Sequence, residues 1–173
     1  MTDENRTAGD RLFQRLATLG IEAPTVPYPV HKTVEEGKQL RGSMTGKFTK
    51  NLLLKDKKDG LFLLSIDEDR ALDLKTLHTR IGAKGRLGFV SAERVVEVLG
   101  VQPGALTPLG LINDHAGLVT AVIDASLMDA DQVNFHPLVN DKSTSLSPMQ
   151  LLTFIESCGR KPKVIDLDAI PIP

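Results

Sequence analysis

The chain has 173 residues, of which 41% are hydrophobic and 25% are charged, and its formal net charge is −1 at pH 7. This length and balance predict one globular domain over residues 1–173, with a substantial apolar core and residues 1–25 as an N-terminal helix and lead-in. Non-specific nucleic-acid binders usually carry a basic excess, so a general DNA-binding protein is excluded. Any contact with RNA must come from a local patch.

A redox, metal or membrane function is also disfavoured. The single cysteine, Cys158, excludes an intramolecular disulfide and a cysteine-rich metal site. The four histidines lack the close spacing and acidic neighbours of metal ligands, so no metal or cofactor is expected. No apolar run approaches the ~20 residues of a membrane helix, and the polar N-terminus has no signal core. We therefore expect a cytoplasmic protein without membrane contact.

The N-terminal third predicts a helix followed by extended chain. Leu12 and Leu16 recur at helical spacing, and Gly20 provides a stop signal. Two prolines in 25–30 are typical of an edge strand or an extended segment. Thr33 has the character of an N-cap for a short helix.

The centre of the chain predicts a β-hairpin. Apolar runs at 48–54 and 61–66 flank a charged loop that ends in Gly60. A short helix over 72–81 follows, and then a glycine-punctuated basic segment at 82–88.

The C-terminal half continues to alternate helices and strands. Ser91 begins a helix, and 118–123 and 133–135 are predicted strands. Ser147 begins a final helix, with a proline at the first helical position and a glutamine at the third, and a last strand is predicted after it at 164–167. The predicted fold is a single compact α+β domain with a mixed, mostly antiparallel sheet flanked by helices.

The segment 100–114 contains four backbone-restricting residues, Gly100, Pro103, Gly104 and Pro108. Glycine permits a close approach of ligand or backbone, and proline stiffens the chain. Such a loop is suited to presenting backbone N–H groups to a ligand, although a structural turn is the alternative interpretation.

Two side chains are candidates for chemistry. Lys50 precedes an almost unbroken apolar run, which places its stem near buried surface and leaves a partly desolvated ammonium able to hold a phosphate or an oxyanion. His136 ends a strand before Pro137, where a structural role is more common than a catalytic one. Asn113 can equally form a local turn through its side chain. Cys158 has no base near it in sequence and is a poor nucleophile candidate.

The one local basic cluster is formed by Lys84 and Arg86 between glycines, together with three lysines of the hairpin loop. Most such clusters are solvated surface, but this one is the candidate for an RNA-facing patch. The hairpin-loop lysines are Lys55, Lys57 and Lys58.

Four ordered blocks give the chain a family resemblance. They are Lys50-Asn51-Leu52, the segment 100–114, Phe135-His136-Pro137-Leu138, and the segment 147–152. Together they resemble the bacterial prolyl-tRNA editing family, the free-standing relatives of the editing domain inserted in prolyl-tRNA synthetase, also called YbaK-like. The resemblance runs from about residue 27 to residue 167.

The resemblance implies roles for particular residues. Lys50 corresponds to a key active-site lysine of the family, and His136 lies beside the substrate pocket. Ser143-Thr144 stands where the family usually has a threonine pair. The further substrate-binding residues that it implies are Asn51, Pro103, Gly104, Ala105, Leu106, Thr107 and Asn113.

The resemblance also implies an activity, the hydrolysis of proline tRNA that carries the wrong amino acid. The end of the segment 100–114 and the Phe135-His136-Pro137 block are more similar to the alanine-specific type. A cysteine-specific deacylase of the same fold and a non-catalytic module that binds RNA ends or a synthetase are the alternatives. Whether prolyl-tRNA synthetase or elongation factor delivers the substrate is left open.

Overall fold

The computed structural model describes the backbone of residues 3–168 and the side chains from residue 8 onward. Residues 1–2 and 169–173 of the predicted domain lie outside the described residues. The five helices are α1 (Asp3–Thr18), α2 (Val34–Leu40), α3 (Leu74–Ile81), α4 (Ala92–Leu99) and α5 (Pro148–Ser157). The strands are β1 (Thr25–Pro27), β2 (Lys47–Lys55), β3 (Leu61–Asp67), β4 (Gly88–Phe89), β5 (Val119–Asp124), β6 (Val133–Phe135), β7 (Lys142–Leu146) and β8 (Lys163–Ile165).

The eight strands form one mixed sheet in the order β1-β7-β6-β2-β3-β5-β8, with β4 paired to the C-terminal end of β2. The pairs β1–β7, β6–β7, β2–β3 and β2–β4 are antiparallel, whereas β2–β6, β3–β5 and β5–β8 are parallel. This confirms the predicted α+β domain with a mixed and mostly antiparallel sheet.

The sheet is covered by helices on both faces. On one face, α1, α4 and α5 bury side chains such as Leu12, Leu99 and Phe154 against the strands. On the other, α3 packs Leu77 and Ile81 against a second cluster. Burial on both faces explains why β3 is apolar almost throughout rather than alternating.

Several local predictions are confirmed. The hairpin forms from β2 and β3, with Leu54 paired to Phe62. Thr33 accepts a hydrogen bond from the backbone N–H of Glu36, as an N-cap does. The capping box at Ser147 and Gln150 is complete at the start of α5. Short-range patterns locate these features because the hydrogen bonds that define them are local.

Two strands, β4 and β7, were not anticipated. Ser143 and Thr144, which stand where the family usually has a threonine pair, lie buried in β7. The Thr144 hydroxyl lies 2.7 Å from the hydroxyl of Thr25 on β1. That pairing spans more than a hundred residues of sequence, so no local pattern predicts it.

The segment 100–114 is mostly core. It forms two 3₁₀ turns, Pro103–Ala105 and Pro108–Asn113, and every residue from Thr107 to Ile112 is buried. The Thr107 hydroxyl accepts from the backbone N–H of Leu109 and so caps the second turn. The prolines and glycines therefore serve chiefly to fold this segment against α4.

Candidate functional site

The candidate site lies where β2 separates from its neighbour. On the side away from β3, β2 pairs with β6 at Lys47 and Phe48 and with β4 at Leu54 and Lys55. Between these two contacts, residues 49–53 of β2 pair with β3 alone. The Lys47 N–H donates to Gln132, and Leu53 accepts from Val90, so the backbone groups of odd-numbered residues face outward. By the alternation of a strand, the backbone of Asn51 faces this open edge.

A small pocket occupies the β6 end of the open edge. Its volume is about 50 Å³. Two of the residues predicted to bind substrate, Asn51 and His136, line this pocket. The other lining residues are Tyr28, His31, Phe48, Thr49, Glu68, Asn134, Phe135 and Ser143.

The Asn51 side chain offers an unused acceptor. Its Nδ2 donates to the Thr49 hydroxyl at 3.2 Å, and that hydroxyl in turn donates to the Asn134 carbonyl at 3.1 Å. Because the Thr49 proton is committed to a carbonyl, its oxygen must accept from Asn51, which fixes the orientation of the amide. Asn51 Oδ1 is buried with no partner among the described residues. A buried carbonyl oxygen without a hydrogen-bond partner favours a ligand that donates a hydrogen bond.

Aromatic rings form one wall of the pocket. The Tyr28 ring stacks on Phe48 and meets the His136 ring edge-on, with centroid separations of 6.1 Å in both cases. Arg41 lies 3.7 Å above the Phe48 ring and forms an ion pair with Glu68, both side chains being largely buried. This packing holds the pocket rigid and narrow.

The His136 ring lies at the end of this aromatic wall, and its orientation is fixed by a hydrogen bond. Its Nδ1 is 2.9 Å from the carbonyl of Lys142, so Nδ1 carries the proton in the neutral ring and Nε2 keeps its lone pair. Burial lowers the pKa of His136 below 6.5, although the Lys142 carbonyl opposes this.

Two residues after His136, the buried Leu138 has a φ of 69°, a strained conformation that costs of order 1–3 kcal/mol.

We expect His136 to titrate at lower pH in the folded protein than in the unfolded chain, because burial penalises the imidazolium. Ring ¹H–¹⁵N NMR across roughly pH 4.5–8, the range around the histidine pKa, measures both titration midpoints. The urea-unfolded protein is the control. A folded midpoint above that of the unfolded chain would contradict a neutral His136 in the pocket at pH 7.

Lys50 lies on the opposite face of β2 from Asn51 and does not line the pocket. Its Nζ donates to the Arg70 carbonyl at 2.8 Å, in the loop after β3. Phe48, which does line the pocket, lies two residues from Lys50 on that face, and Ile66 is the residue paired with Lys50 on β3. An ammonium has three donors, so the contact with Arg70 leaves two for a ligand.

The segment 100–114 touches this region only at one turn. Pro103 and Gly104 are exposed, and a Cβ built on Gly104 would lie 3.6 Å from the side chain of Asn140, in the segment that follows His136. Ala105 is buried and Leu106 half-buried; their N–H groups donate to the Gln102 and Pro103 carbonyls within the turn.

Asn113 and Thr107 are placed apart from the pocket. Asn113 donates to the Leu99 carbonyl and accepts from Arg11, between α1 and α4, while Thr107 is enclosed in its own turn. The structure therefore brings together Asn51 and His136, places Lys50 and Gly104 on the flanks, and leaves Asn113 elsewhere.

Six lining residues were missed from sequence, namely Tyr28, His31, Phe48, Thr49, Glu68 and Asn134. Phe48 and Thr49 directly precede the Lys50-Asn51 block, so proximity to that block was an available signal for them. Tyr28 gave only the signal of a lone tyrosine between two prolines. Glu68 reaches the pocket through the turn after β3, which no local pattern predicts.

A larger groove lies elsewhere, between α1, α5 and the second 3₁₀ turn. Its volume is about 580 Å³, yet its lining includes neither Lys50, Asn51 nor His136. Two of its charged groups already have partners, since Arg15 donates to the Ser157 carbonyl and Asp114 forms an ion pair with Arg160. We place the site at the small pocket because the unused acceptor and the aromatic wall converge there.

The segment that carries the candidate RNA-facing residues packs against the β2–β3 loop, and their contact with RNA stays a prediction. Lys84 and Arg86 are exposed, and the backbone of Lys84 bonds to Asp56 and Lys57 of the β2–β3 loop.

Fold and pocket define a single-domain α+β protein with a narrow polar pocket at a split in its sheet. Comparison with known proteins makes this specific, because residues 29–154 match the model of the aminoacyl-tRNA editing domain family. The chain belongs to that family.

Its relatives are similar along most of their length. The chain is 37% identical over 161 residues to the prolyl-tRNA synthetase associated domain-containing protein 1 of Bos taurus, covering 91% of this chain and 94% of the relative. It is 30% identical to the prolyl-tRNA editing protein ProX of Acetoanaerobium sticklandii, covering 92% and 98%. A crystal structure of a candidate trans-editing enzyme for prolyl tRNA synthetase superposes with a TM-score of 0.69 at 22% identity, over 92% of this chain and 96% of that one.

Within the described residues, no helix has the length and apolar character to span a membrane. The same residues contain no group of three or more histidine, cysteine or acidic side chains arranged to hold a metal ion.

Proposed function

We propose that this protein hydrolyses proline tRNA that carries the wrong amino acid, with the alanyl ester as its preferred substrate. The observation that carries the proposal is the pocket of about 50 Å³ beside Asn51 and His136 in a chain of the editing family. Activity, substrate and site residues all belong to the proposal.

The physical problem that such an enzyme solves is one of size. A synthetase pocket built for proline cannot strongly exclude the smaller alanine, because missing methylene groups cost only ~1–3 kcal/mol of discrimination. A second site that admits alanine and excludes proline corrects the error as a double sieve. A narrow pocket with a rigid aromatic wall supports this role.

The proposed mechanism needs no protein nucleophile. An aminoacyl ester is already activated, so the protein has to hold it, orient a water molecule and stabilise charge on the carbonyl oxygen. Cys158 fits a structural role, since burial raises the pKa of its thiol. The neighbouring hydroxyl of the substrate ribose helps to position the water in this scheme.

Each proposed role follows from an unused group. Asn51 Oδ1 receives the α-amino group of the ester, which is a hydrogen-bond donor. The ammonium of Lys50 holds the terminal phosphate or the developing oxyanion, and neutral His136 lines the aminoacyl pocket. Gly104 faces the bound end of the substrate from the turn beside Asn140.

A deacylation time course tests the proposal, using proline tRNA charged separately with alanine, cysteine, serine and proline. We expect alanine to be lost at least about tenfold faster than proline, as two missing methylene groups and a rigid wall predict. The uncatalysed loss of each ester without protein is the control.

The other outcomes identify the alternatives. Preferential loss of cysteine would make this a cysteine-specific deacylase with the same chemistry. Equal lifetimes with and without protein would refute the enzyme and leave a module that binds RNA ends or a synthetase. Adding prolyl-tRNA synthetase or elongation factor to the same assay shows whether either protein hands over the substrate.

A further inference from the structure

An exposed phenylalanine borders the open edge of β2 at the end opposite to the pocket. Phe89 belongs to the two-residue strand β4, pairs with Leu54 and is 63% exposed. Residues paired across antiparallel strands project from the same face, so Phe89 lies on the face that carries Lys50, Leu52 and Leu54. A single exposed ring is common on protein surfaces, so the feature that distinguishes this one is the concentration of basic residues in the segments beside it.

Basic side chains are numerous in the two segments beside this ring. In the β2–β3 loop and the segment 82–90, five basic residues stand against the two carboxylates Asp56 and Asp59, in a chain whose net charge is −1. Asp56 is buried and accepts hydrogen bonds from three backbone N–H groups. The five basic residues, all exposed, are Lys55, Lys57, Lys58, Lys84 and Arg86.

Gly85 makes this arrangement possible. Its φ is 92°, and a Cβ there would lie 2.7 Å from the side chain of Lys57. A larger residue would push the segment 82–88 away from the β2–β3 loop. Lys57, Lys84 and Arg86 thus come from two segments, distant in sequence, that pack together next to β4, whereas Lys55 projects from the face of β2 opposite to Phe89.

We propose that Phe89 is a stacking platform for an unpaired base at the 3′ end of the RNA, and that the surrounding cations hold its phosphates. An aromatic ring within a basic surface is the arrangement that binds single-stranded nucleic acid with little sequence preference. Along β2, Lys50 and the Phe89 partner Leu54 are four residues apart, or about 13 Å at ~3.3 Å per residue. A few linked nucleotides cover this distance when the terminal one lies beside the pocket.

This inference rests on the proposed function for the identity of the RNA, and its test is independent of hydrolysis. The probes are uncharged RNA hairpins with the acceptor stem of proline tRNA, one with its unpaired 3′ nucleotides and one blunt-ended. Fluorescence anisotropy gives Kd for wild type, Phe89→Ala, Phe89→Trp and the control Phe13→Ala, which removes another exposed phenylalanine, on α1.

Phe89→Ala is expected to weaken binding of the RNA with the overhang by about 5- to 100-fold, the range that loss of one base–aromatic stack produces. Binding of the blunt RNA should change little, while Phe89→Trp and Phe13→Ala should retain wild-type affinity. Lys84→Ala combined with Arg86→Ala should reduce the salt dependence of Kd by roughly 0.7 per lost phosphate contact.

Equal Kd values for wild type and Phe89→Ala on the overhang RNA would overturn the platform, as would equal weakening on both RNAs. Loss of synthetase binding without loss of RNA binding would instead assign Phe89 to a protein interface. Phe89-dependent RNA binding without deacylation would retain the platform and reject the proposed enzyme. A deacylation rate that is unchanged in Phe89→Ala at sub-saturating RNA would retain the proposed enzyme and reject the platform.

Discussion

Replacing Lys50 with alanine should lower kcat/KM for alanyl-tRNA deacylation by about 100- to 1000-fold, the typical effect of removing one preorganised electrostatic group. The half-buried ammonium has only one recorded partner, the Arg70 carbonyl, and lies on the face of β2 that leads past Phe48 to the pocket. Its remaining donors are the nearest positive charge on β2 to Asn51. Single-turnover hydrolysis of the alanyl ester measures the effect.

Lys75→Ala is the control, because Lys75 is an exposed lysine on α3 that belongs to neither the pocket nor the basic surface. Lys50→Arg keeps the charge but changes its shape, so it should recover part of the rate. Thermal unfolding separates catalysis from folding: a purely structural Lys50 would lose stability and rate together. An unchanged rate in Lys50→Ala would reject its assignment to the site.

Replacing Asp114 with alanine should lower the free energy of unfolding by about 3–5 kcal/mol, the cost of leaving one partner of a buried ion pair alone. Arg160 contacts the Asp114 carboxylate at 2.6 Å, and the two side chains are 10% and 2% exposed. The same carboxylate accepts from the N–H groups of Leu118 and Val119, which begin β5. The pair therefore fixes the start of strand β5 to the segment that follows α5.

Urea unfolding followed by circular dichroism measures this loss. Asp131→Ala, at an exposed position, serves as control and should change the free energy by less than about 0.5 kcal/mol. A loss of under about 1 kcal/mol for Asp114→Ala would show that water or another group compensates Arg160, contrary to its burial.

The same pair predicts a dependence on pH. Burial alone would raise the pKa of Asp114, but the Arg160 guanidinium and two backbone N–H groups outweigh it and hold the pKa below 3.8. The unfolded chain therefore takes up the proton first on acidification. This stability is present above about pH 4 and is lost as pH falls through the folded pKa, and Asp114→Ala should lose that part of the acid sensitivity.

The sequence determined the elements whose signals are local. Proline, glycine and capping residues located α5 and the β2–β3 hairpin, because their hydrogen bonds join near neighbours. It also singled out Asn51 and His136, which the fold brings into one pocket although 85 residues separate them. Ordered blocks of residues, rather than any single residue, supported the family assignment that the match to residues 29–154 confirms.

Tertiary structure alone decided what long-range pairing creates. The separation of β2 from β6 opens the sheet at Asn51, and the burial of the segment 100–114 follows from packing on α4. The unused acceptor of Asn51 and the wall of Tyr28 and Phe48 depend on contacts between distant segments. The sequence thus named the chemical groups, while their directions, partners and exposure required the folded chain, since each depends on side chains far away in sequence.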